Sequence, residues 1–520
     1  MKYIYYLVIA SLILCSSCKD SFLSENPTGE LSEDQAADDA NIEGIVTSAY
    51  AVLDGQYDTS SSGLNSGCSN WQFGDVVSDD FYKGGGGTGD QNQIHLMEIF
   101  SADPTCKDFE RKWLALYEGV ARCNQAIRIL EKSEYAKKDQ RIAEMEFLRG
   151  HYYFNLKIIY NQIPYIDKSV TDISEFPKIS NMQYTSDQLW EKILSDFKEA
   201  YNGLPETQSE AGRPTKYAAK AYMAKVYLYT KDWKDCASAC DEVINSGKYA
   251  MLSNFRDVFL PENDNSSEII FAVQNCINDG SDNNYNGNPG DRLLPPGGPY
   301  PSYGFLRPSQ NLVNAYKTDA NGLPLNNGQD VTDNDNVDIR LDHTVARPGK
   351  PWMDMQLYNW TPREKSVYGP YSPKKRLVSM KSSYYLSVWP YTNALNFYII
   401  RYPDVLLWRA ESAIEMNDLA TGLKYINMVR ARAAGSKGVR WDDVSGAGTG
   451  DAANYKVGLY TSFGSQDQAL TALRTERRLE FAMEGQRFFD LVRWGIADQV
   501  INSYIEKEKV TRTHLVNAHF

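Results

Sequence analysis

The stretch YAAKAYMAKVYLYTKDWKDCASACDEVINS, residues 217–246, decides the fold of this protein. Its apolar spacing predicts two amphipathic helices, 217–230 and 233–246, which are joined by a short turn at Asp232-Trp233. Two helices that approach closely across a short turn form the unit of a tetratricopeptide (TPR) repeat. The residues on the facing sides are Ala221, Ala224 and Leu228 on the first helix, and Ala237, Cys240 and Ile244 on the second.

Weaker copies of this helix pair occur on both sides of the stretch. Further helices are predicted at 113–130, 139–160 and 186–204, because apolar residues recur there at steps of three or four. Near the other end, apolar faces flank the turn Asn417-Asp418 in the same way. We therefore predict an all-α fold, a TPR-like α-α superhelix of about four degenerate helix pairs. The pairs are 113–160, 186–230 (continuing to 246), 401–433 and 466–494.

Residues 263–396 differ in character from the helical parts. They are rich in Asn, Asp, Gly, Pro and Tyr and show few helical periodicities. A structureless loop of this length is unusual inside a compact domain. We therefore predict an irregular, loop-rich lobe with short strands and short helices, laid over the helical frame.

The composition excludes some classes of partner. The chain has 520 residues, with 54 Lys and Arg against 67 Asp and Glu, which gives a net charge of −13. This acidic balance argues against nucleic acid, whose phosphates need clustered cations, and against a polybasic membrane patch. The 35 Tyr outnumber the 19 Phe, and Tyr suits surfaces that are partly apolar and partly wet.

The first residues predict an export signal and a lipid anchor. Lys2 precedes an apolar run from Ile4 to Leu14, which is too short to span a bilayer and is typical of a signal peptide, residues 1–17. Small residues followed by Cys18 resemble a bacterial lipobox, which predicts lipidation of Cys18 and a tether at 18–30. The pair Lys19-Asp20 resembles a tag for the outer cell face, and a solvated tether is the alternative.

No motif supports catalysis or a metal site. The five histidines form no His-Glu-x-x-His helix, there is no Gly-x-Ser-x-Gly, and His151 is predicted to be a core residue. A glycosidase needs only two carboxylates, so the sequence does not exclude one. The run DNDNVD at 333–338 lacks the Gly of a calcium loop and is interpreted as a solvated turn. Cys236 and Cys240 are interpreted as packing residues. We predict no catalytic residue, no metal and no cofactor.

Aromatic residues that lie off the helices suggest sugar binding. A sugar ring presents flat C–H faces to an aromatic ring and a rim of hydroxyls to amides, acids and arginines. Local packing under long loops is the alternative for each of these residues. The candidate ligand-binding residues are Trp71, Tyr82, Tyr300, Tyr303, Trp352 and Trp360.

Six segments, in this order along the chain, together resemble the SusD/RagB family of outer-membrane lipoproteins. In the last of them, 476–491, we expect a structural framework in which Arg477 and Arg478 pair with Glu480 and Glu484 near one helix turn, with Arg487 and Asp490 continuing the network. The six are FLSENPTG (22–29), WQFGDVVSDD (71–80), AEMEFLRGHYYF (143–154), GRPTK (212–216), IRYPDVLLWRAE (400–411) and ERRLEFAMEGQRFFDL (476–491).

The resemblance implies a glycan-binding protein that does not cleave its ligand. It implies one unit with an N-terminal SusD-like TPR region at 31–262, a ligand-binding lobe at 263–396 and a closing helical region at 397–520. Such proteins are anchored to the outer membrane, facing the cell exterior, and pass oligosaccharide to a SusC-like TonB-dependent transporter.

Two alternatives to glycan capture stay open: a TPR scaffold or transporter subunit that handles peptides or another nutrient, and a surface hydrolase. One feature departs from the family. Its members usually continue into a Pro-containing tail that packs back on the body, whereas this sequence stops at Phe520, so the resemblance does not predict how the last helix packs.

Overall fold

A computed structural model of the chain describes residues 36–55, 67–280, 286–288, 292–301, 303–389 and 391–520. The predicted signal peptide, the tether and Cys18 lie outside these ranges. In the described part of the chain, no helix is both long enough and apolar enough to cross a membrane.

A frame of packed helices forms most of the structure. Each predicted helix is present within a few residues of its predicted bounds, which confirms the all-α, TPR-like fold. The frame helices are α1 (Asp39–Tyr50), α2 (Lys107–Lys132), α3 (Lys138–Tyr160), α4 (Ser186–Gly203), α5 (Lys216–Thr230), α6 (Trp233–Asn245), α7 (Tyr402–Glu415), α8 (Leu419–Gly435), α9 (Gln466–Phe481), α10 (Arg487–Arg493) and α11 (Ala497–Glu508).

Local sequence signals set the ends of α5 and α6. The hydroxyl of Thr215 accepts the N–H of Ala218, and the carboxylate of Asp232 accepts the N–H of Asp235, so both helices begin at a side-chain cap. Lys231 ends α5 in the left-handed conformation, with φ 60°. The alanines that were predicted to face each other are buried, as close packing of the two helices requires.

Successive helices from α1 to α6 pack on one another, and the stack then continues in α7. The Nε of Arg409 on α7 lies 2.7 Å from Oδ1 of Asp241 on α6, although the whole loop-rich region separates them in sequence. The strands Ile269–Val273 and Phe397–Arg401 pair antiparallel. The chain therefore leaves the frame and returns to it through one strand pair, which leaves the helical stack continuous.

Short strands and helices make up the lobe, as predicted. Strand Phe81–Gly84 pairs with Phe305–Pro308, and Lys317–Thr318, Asn336–Val337 and Asn454–Tyr455 form a three-stranded sheet. The other pairs are Val345–Ala346 with Ser372–Pro373 and Pro351–Trp352 with Gln356–Leu357. The short helices that are not part of the frame are Asn92–Glu98, Gln310–Ala315, Arg340–Thr344 and Lys365–Tyr368.

Two glycine-containing segments are more ordered than their sequences suggest. Trp71 begins a buried six-residue π-helix, Trp71–Val76. In the tetraglycine stretch 84–87, Gly84 belongs to a strand and a Cβ on Gly85 would lie 2.5 Å from the Phe305 ring. Both segments are ordered because they pack against parts of the chain that are distant in sequence.

A buried network of charges joins the lobe to the frame. Arg401, at the end of the returning strand, bonds Glu268 at 2.8 Å and both Glu480 and Glu484 near the end of α9. Arg340, from the lobe, bonds Glu480 and, at 2.7 Å, Glu476. Because these groups have almost no solvent exposure, each charge depends on its partners.

The network corrects the pairing that we expected within residues 476–491. Arg477 bonds Asp490 at 2.8 Å rather than Glu480, and Arg478 bonds Asp80 at 2.7 Å. Glu480 and Glu484 are instead occupied by cations from other elements, Arg401 among them. The residues form a framework, as predicted, but their partners are long-range because buried charges take the nearest opposite charge in space.

Two further sequence interpretations agree with the structure. His151 is buried, its Nδ1 lies 2.5 Å from the hydroxyl of Tyr222, and burial lowers the pKa of His151 to about 3. Cys236 and Cys240 are buried free cysteines. The solvated turn predicted at 333–338 is correct only for its first part. Asp333 is largely exposed, 2.9 Å from the Nζ of Lys350, whereas Asp338 is buried because it bonds Arg340 at 2.8 Å.

Candidate functional site

A pile of aromatic rings lies in the core of the lobe. Tyr300 contacts Trp352 edge to face, with ring centroids 6.0 Å apart, and Trp352 contacts Trp360 at 5.4 Å and Tyr358 at 5.7 Å. On its other side, the ring of Tyr300 lies 5.5 Å from that of Tyr385. The pile links the interior of the lobe to an exposed hairpin that contains Tyr385.

The hairpin presents aromatic residues to solvent. Tyr385 pairs with Asn393 in an antiparallel bridge, which holds the two arms together. At the tip, Trp389 is 62% exposed, and Tyr384 at the base is 37% exposed. Large exposed apolar patches on a folded protein can mark interaction sites, so the exposed Trp on this hairpin makes it a candidate binding surface. We call Tyr303, Tyr384, Trp389 and Tyr391, together with Arg292, the aromatic face.

One arginine belongs to the aromatic face. The guanidinium carbon of Arg292 lies 4.9 Å from the centre of the Trp389 ring, in a cation–π contact. The ring of Tyr391 lies 6.3 Å from that of Trp389 and is nearly perpendicular to it. Burial lowers the pKa of Arg292, and Tyr303 opposes this shift through its charge interaction with the guanidinium. The face thus combines flat apolar rings with a cationic hydrogen-bond donor.

Several polar atoms near the aromatic face are buried without a protein partner among the described residues. They include the hydroxyl of Tyr385, the hydroxyl of Thr392 and the indole Nε1 of Trp360. Burial raises the pKa of Tyr385 to about 12, with smaller contributions from Tyr391 and Tyr303. The hydroxyl therefore keeps its proton at neutral pH and can donate it in a hydrogen bond.

The structure brings four of the sequence-predicted site residues into one region. Tyr300 and Trp352 are buried in the aromatic pile, whereas Tyr303 and Trp360 are half-buried at its edge. Gly298 is exposed with φ 70°, and a Cβ there would lie 2.7 Å from the Trp360 ring. The absence of a side chain at position 298 allows the backbone to pack closely against this indole.

The other two predicted site residues lie elsewhere. Trp71 is 3% exposed and contacts the ring of Phe305 edge to face. Tyr82 is 1% exposed, and its hydroxyl donates to the carboxylate of Glu508. The rings of Trp71 and Tyr82 are therefore covered by protein in this structure.

Trp389, Tyr391 and Arg292 were not among the sequence-predicted site residues. A signal for Trp389 was present, because Val388 and Trp389 are adjacent apolar residues within a polar, turn-rich stretch. No pattern in the sequence pairs Arg292 with Trp389, since 97 positions separate them and only the fold brings them together.

A polar cleft of ≈ 450 Å³ adjoins the pile. The hydroxyl of Tyr300 donates to the carbonyl oxygen of Val378 at 2.7 Å and lies 3.8 Å from the sulfur of Met353, and both Val378 and Met353 line the cleft. Nine of its fourteen lining residues are charged or polar, so we call it the polar cleft, although apolar atoms contribute more of its lining surface. In the described ranges, no group of three or more His, Cys, Asp or Glu side chains could hold a metal ion.

Comparison with protein families gives two matches that together cover most of the chain. Residues 267–517 match the model described as the SusD family. Residues 22–228 match a second model, described as starch-binding associating with outer membrane.

Individual relatives are similar over nearly their whole length. A SusD-like protein of Bacteroides ovatus is 24% identical, with 99% of this chain and 87% of that protein aligned. SusD-like protein P25 of Formosa agariphila is 22% identical, with 96% and 90% aligned.

Solved structures share the fold. A SusD superfamily protein from Bacteroides vulgatus superposes with a TM-score of 0.72 at 20% identity, covering 92% of both chains. The surface glycan-binding protein A from Bacteroides thetaiotaomicron, in complex with laminarihexaose, gives a TM-score of 0.66 at 23% identity, covering 89% of this chain and 91% of that one.

Proposed function

Because this chain belongs to the SusD/RagB family, we propose that it binds oligo- or polysaccharide without cleaving it, and that the aromatic face is the binding surface. The observation that carries this proposal is Trp389, a 62% exposed indole beside Arg292, on a hairpin that packs edge to face on the aromatic pile through Tyr385. A sugar ring can stack its C–H face on the indole while its hydroxyls bond the guanidinium and the nearby tyrosines. The glycan complex of a structural relative is consistent with this function.

Within the lobe at 263–396, we assign different roles to the residues predicted from sequence. Tyr303 and Trp360 contact the ligand at the edge of the aromatic face, because both are partly accessible. Tyr300 and Trp352 hold the hairpin from the interior. Trp71 and Tyr82 affect binding only indirectly, through the packing of the core. Direct contact with the ligand would require their rings to become exposed.

The cellular context completes the proposal. We infer that a lipid on Cys18 anchors the protein to the outer membrane, facing the exterior, and that the bound glycan passes to a SusC-like TonB-dependent transporter. The family description that mentions the outer membrane supports this location. Co-purification of the transporter with the full-length protein, and loss of membrane attachment in Cys18→Ala, would test the partner and the anchor.

Titration calorimetry of the mature protein against a panel of glycans tests the binding proposal. Trp389→Ala should weaken binding at least about tenfold. A central aromatic anchor usually contributes more binding free energy than a charged residue at the rim of an interface. Met182→Ala is the control, because Met182 is another exposed apolar side chain, at 71%, outside the lobe. Unchanged affinity in Trp389→Ala would place the site elsewhere. Binding of peptides but of no glycan would favour the scaffold function, and release of shorter sugars would indicate a hydrolase.

A further inference from the structure

The polar cleft beside the aromatic pile has a cationic interior. Lys374 lines the cleft and is only 3% exposed, and Arg256 lines it from a partly buried position. His343 also lines the cleft, but burial lowers its pKa to about 4, so it is neutral at pH 7. The fourth basic residue of the lining, Lys381, is exposed at the rim. Lys374 and Arg256 are therefore the two cations in the interior of this cleft of ≈ 450 Å³.

Neither cation has a carboxylate partner among the described residues. The Nζ of Lys374 donates to the carbonyl of Pro351 at 2.9 Å, and the guanidinium of Arg256 donates to the carbonyls of Lys375 and Leu377. An ammonium has three donors and a guanidinium five, so both groups keep donors for another acceptor. Burial lowers the pKa of Lys374 only to about 8, and it remains charged at pH 7.

The buried carboxylate that interacts most strongly with Lys374 is already paired. Asp342 interacts electrostatically with Lys374, but both of its oxygens bond Arg347 at 2.7 Å. A buried charge without a counter-ion is costly, and such groups usually have a partner that is a ligand or another residue. An anion of suitable size for the cleft would supply such a partner for these two cations.

The acids that line the cleft lie at its exposed rim. Asp354 bonds Ser379 at 2.8 Å and lies 4.0 Å from Lys381, and Asp443 accepts the backbone N–H of Arg440. These carboxylates and that of Glu262 are exposed, so solvent and salt screen them more than they screen the buried cations. The rim is mixed in charge, whereas the interior is positive.

We propose that this cleft is an anion-binding subsite, in which Lys374 and Arg256 hold the carboxylate or sulfate group of an acidic glycan that also contacts the aromatic face. The inference rests on the proposed function, and it narrows the substrate class to acidic polysaccharides. The link between the two surfaces is Tyr300, which contacts Tyr385 of the hairpin and bonds Val378 of the cleft.

The experiment compares each acidic polymer with its neutral counterpart. Polygalacturonate is matched by its carboxyl-reduced form and a sulfated galactan by its desulfated form, so only the charge differs within a pair. The mature protein should bind at least one acidic polymer roughly tenfold more tightly than its neutral form, as one charge-assisted hydrogen bond would provide. Which pair shows this preference distinguishes a carboxylate ligand from a sulfate.

Variants of the two cleft cations then test whether the preference for the acidic polymer depends on the cleft. Lys374→Met keeps most of the aliphatic length and should abolish the preference for the acidic polymer while leaving binding of the neutral form unchanged. Arg256→Gln is the second variant, in case the first does not fold. Lys178→Met removes a cation whose side chain is 66% exposed, and it should have no effect.

The outcomes distinguish failure of the anion subsite from failure of the proposed glycan binding. Equal affinity for acidic and neutral forms, or an acid preference that persists in both folded cleft variants, overturns the anion subsite but leaves glycan binding intact. If no polymer of any kind binds, both the subsite and the proposed function are overturned. A preference lost only in the cleft variants supports the subsite.

Discussion

The backbone N–H of Gly485 donates a 2.9 Å hydrogen bond to Oδ2 of Asp75, 410 residues earlier in the chain. The two residues belong to two of the segments that resembled the SusD/RagB family, WQFGDVVSDD and ERRLEFAMEGQRFFDL. Their backbones are also in close contact, because a Cβ on Gly74 would lie 1.9 Å from the carbonyl oxygen of Gly485. These motifs therefore form one structural joint between the start of the chain and its last helices.

A side chain at position 485 should break this joint. Gly485 has φ 72°, and its Cβ would lie 2.1 Å from the carbonyl oxygen of Ser69. Gly485→Ala should therefore lower the free energy of unfolding by more than about 3 kcal/mol. Gly495→Ala is the matched control, since its φ is 70° with open space around it, and it should cost only about 1 kcal/mol. Equal losses in urea denaturation of the two variants would contradict a steric role for Gly485.

Asp75 should be protonated in the native protein. Burial raises its pKa well above the usual range, Asp80 and Glu484 add to the shift, and the N–H of Gly485 only partly opposes it. The native state then holds a proton that the unfolded state releases above about pH 4. The wild type should lose stability relative to Asp75→Asn as pH rises from 4.5 to 8, with a slope of up to about 1.4 kcal/mol per pH unit. Urea denaturation across this range measures the difference; a relative gain for the wild type would mean that Asp75 is ionised.

Glu98 should show the opposite pH dependence. Burial alone would raise its pKa. The imidazole of His514, whose Nε2 lies 3.4 Å from Oε1 of Glu98, and hydrogen bonds from His95 and from the N–H of Lys83 outweigh burial and lower the pKa to about 2. Its ionised form therefore contributes stability that is complete above about pH 4.5 and is lost as pH falls towards 2. The wild type should lose about 3 kcal/mol relative to Glu98→Gln over this interval.

The comparison for Glu98 is made by urea unfolding at several pH values between 2.5 and 6. Other carboxylates titrate in both proteins, so the difference between the two curves isolates this residue. Glu131→Gln, in an exposed pair with Lys168, controls for loss of a surface charge. Parallel curves for the wild type and Glu98→Gln would contradict the lowered pKa.

Arg401 should be essential for the stability of the joined lobe and frame. Its guanidinium is buried and bonds Glu268, Glu480 and Glu484, so Arg401→Met leaves three carboxylates with fewer partners. We expect a loss of about 3–5 kcal/mol in the free energy of unfolding. Lys107→Met removes an exposed ion pair and should cost less than about 1 kcal/mol. A loss for Arg401→Met as small as that of the control would mean that the network adds little.

Substitutions of Trp352 and Trp389 should affect different properties: stability for Trp352 and glycan binding for Trp389. Trp352 is fully buried, so Trp352→Ala should destabilise the protein by about 3–5 kcal/mol through the cavity that it leaves. Trp389→Ala, which removes an exposed ring, should leave the thermal midpoint almost unchanged while it weakens glycan binding. Differential scanning calorimetry and binding titrations on both variants test the pair. A large loss of stability in Trp389→Ala would make this ring part of the core.

Much of the frame could be predicted from the sequence. Helices α2 to α8 follow from apolar spacing, caps and turn residues, all of which act within a few positions of one another, and α5 and α6 are the clearest case. The sequence also showed that most large aromatic residues off the helices are concentrated in the polar, Gly- and Pro-rich region, where chance would rarely place them together. It did not separate Trp352, which is buried, from Trp389, which is exposed, since composition does not report depth.

The sequence by itself determined the fold class, the helix boundaries and the family, because these depend on local periodicity and on contiguous motifs. Only the tertiary structure decided which charges pair, which aromatics reach solvent and which cations remain without a carboxylate. Arg292 meets Trp389, and Gly485 meets Asp75, through packing between elements that are far apart in the chain. Such contacts depend on distances in the folded chain, and these distances cannot be inferred from the separation of residues along the sequence.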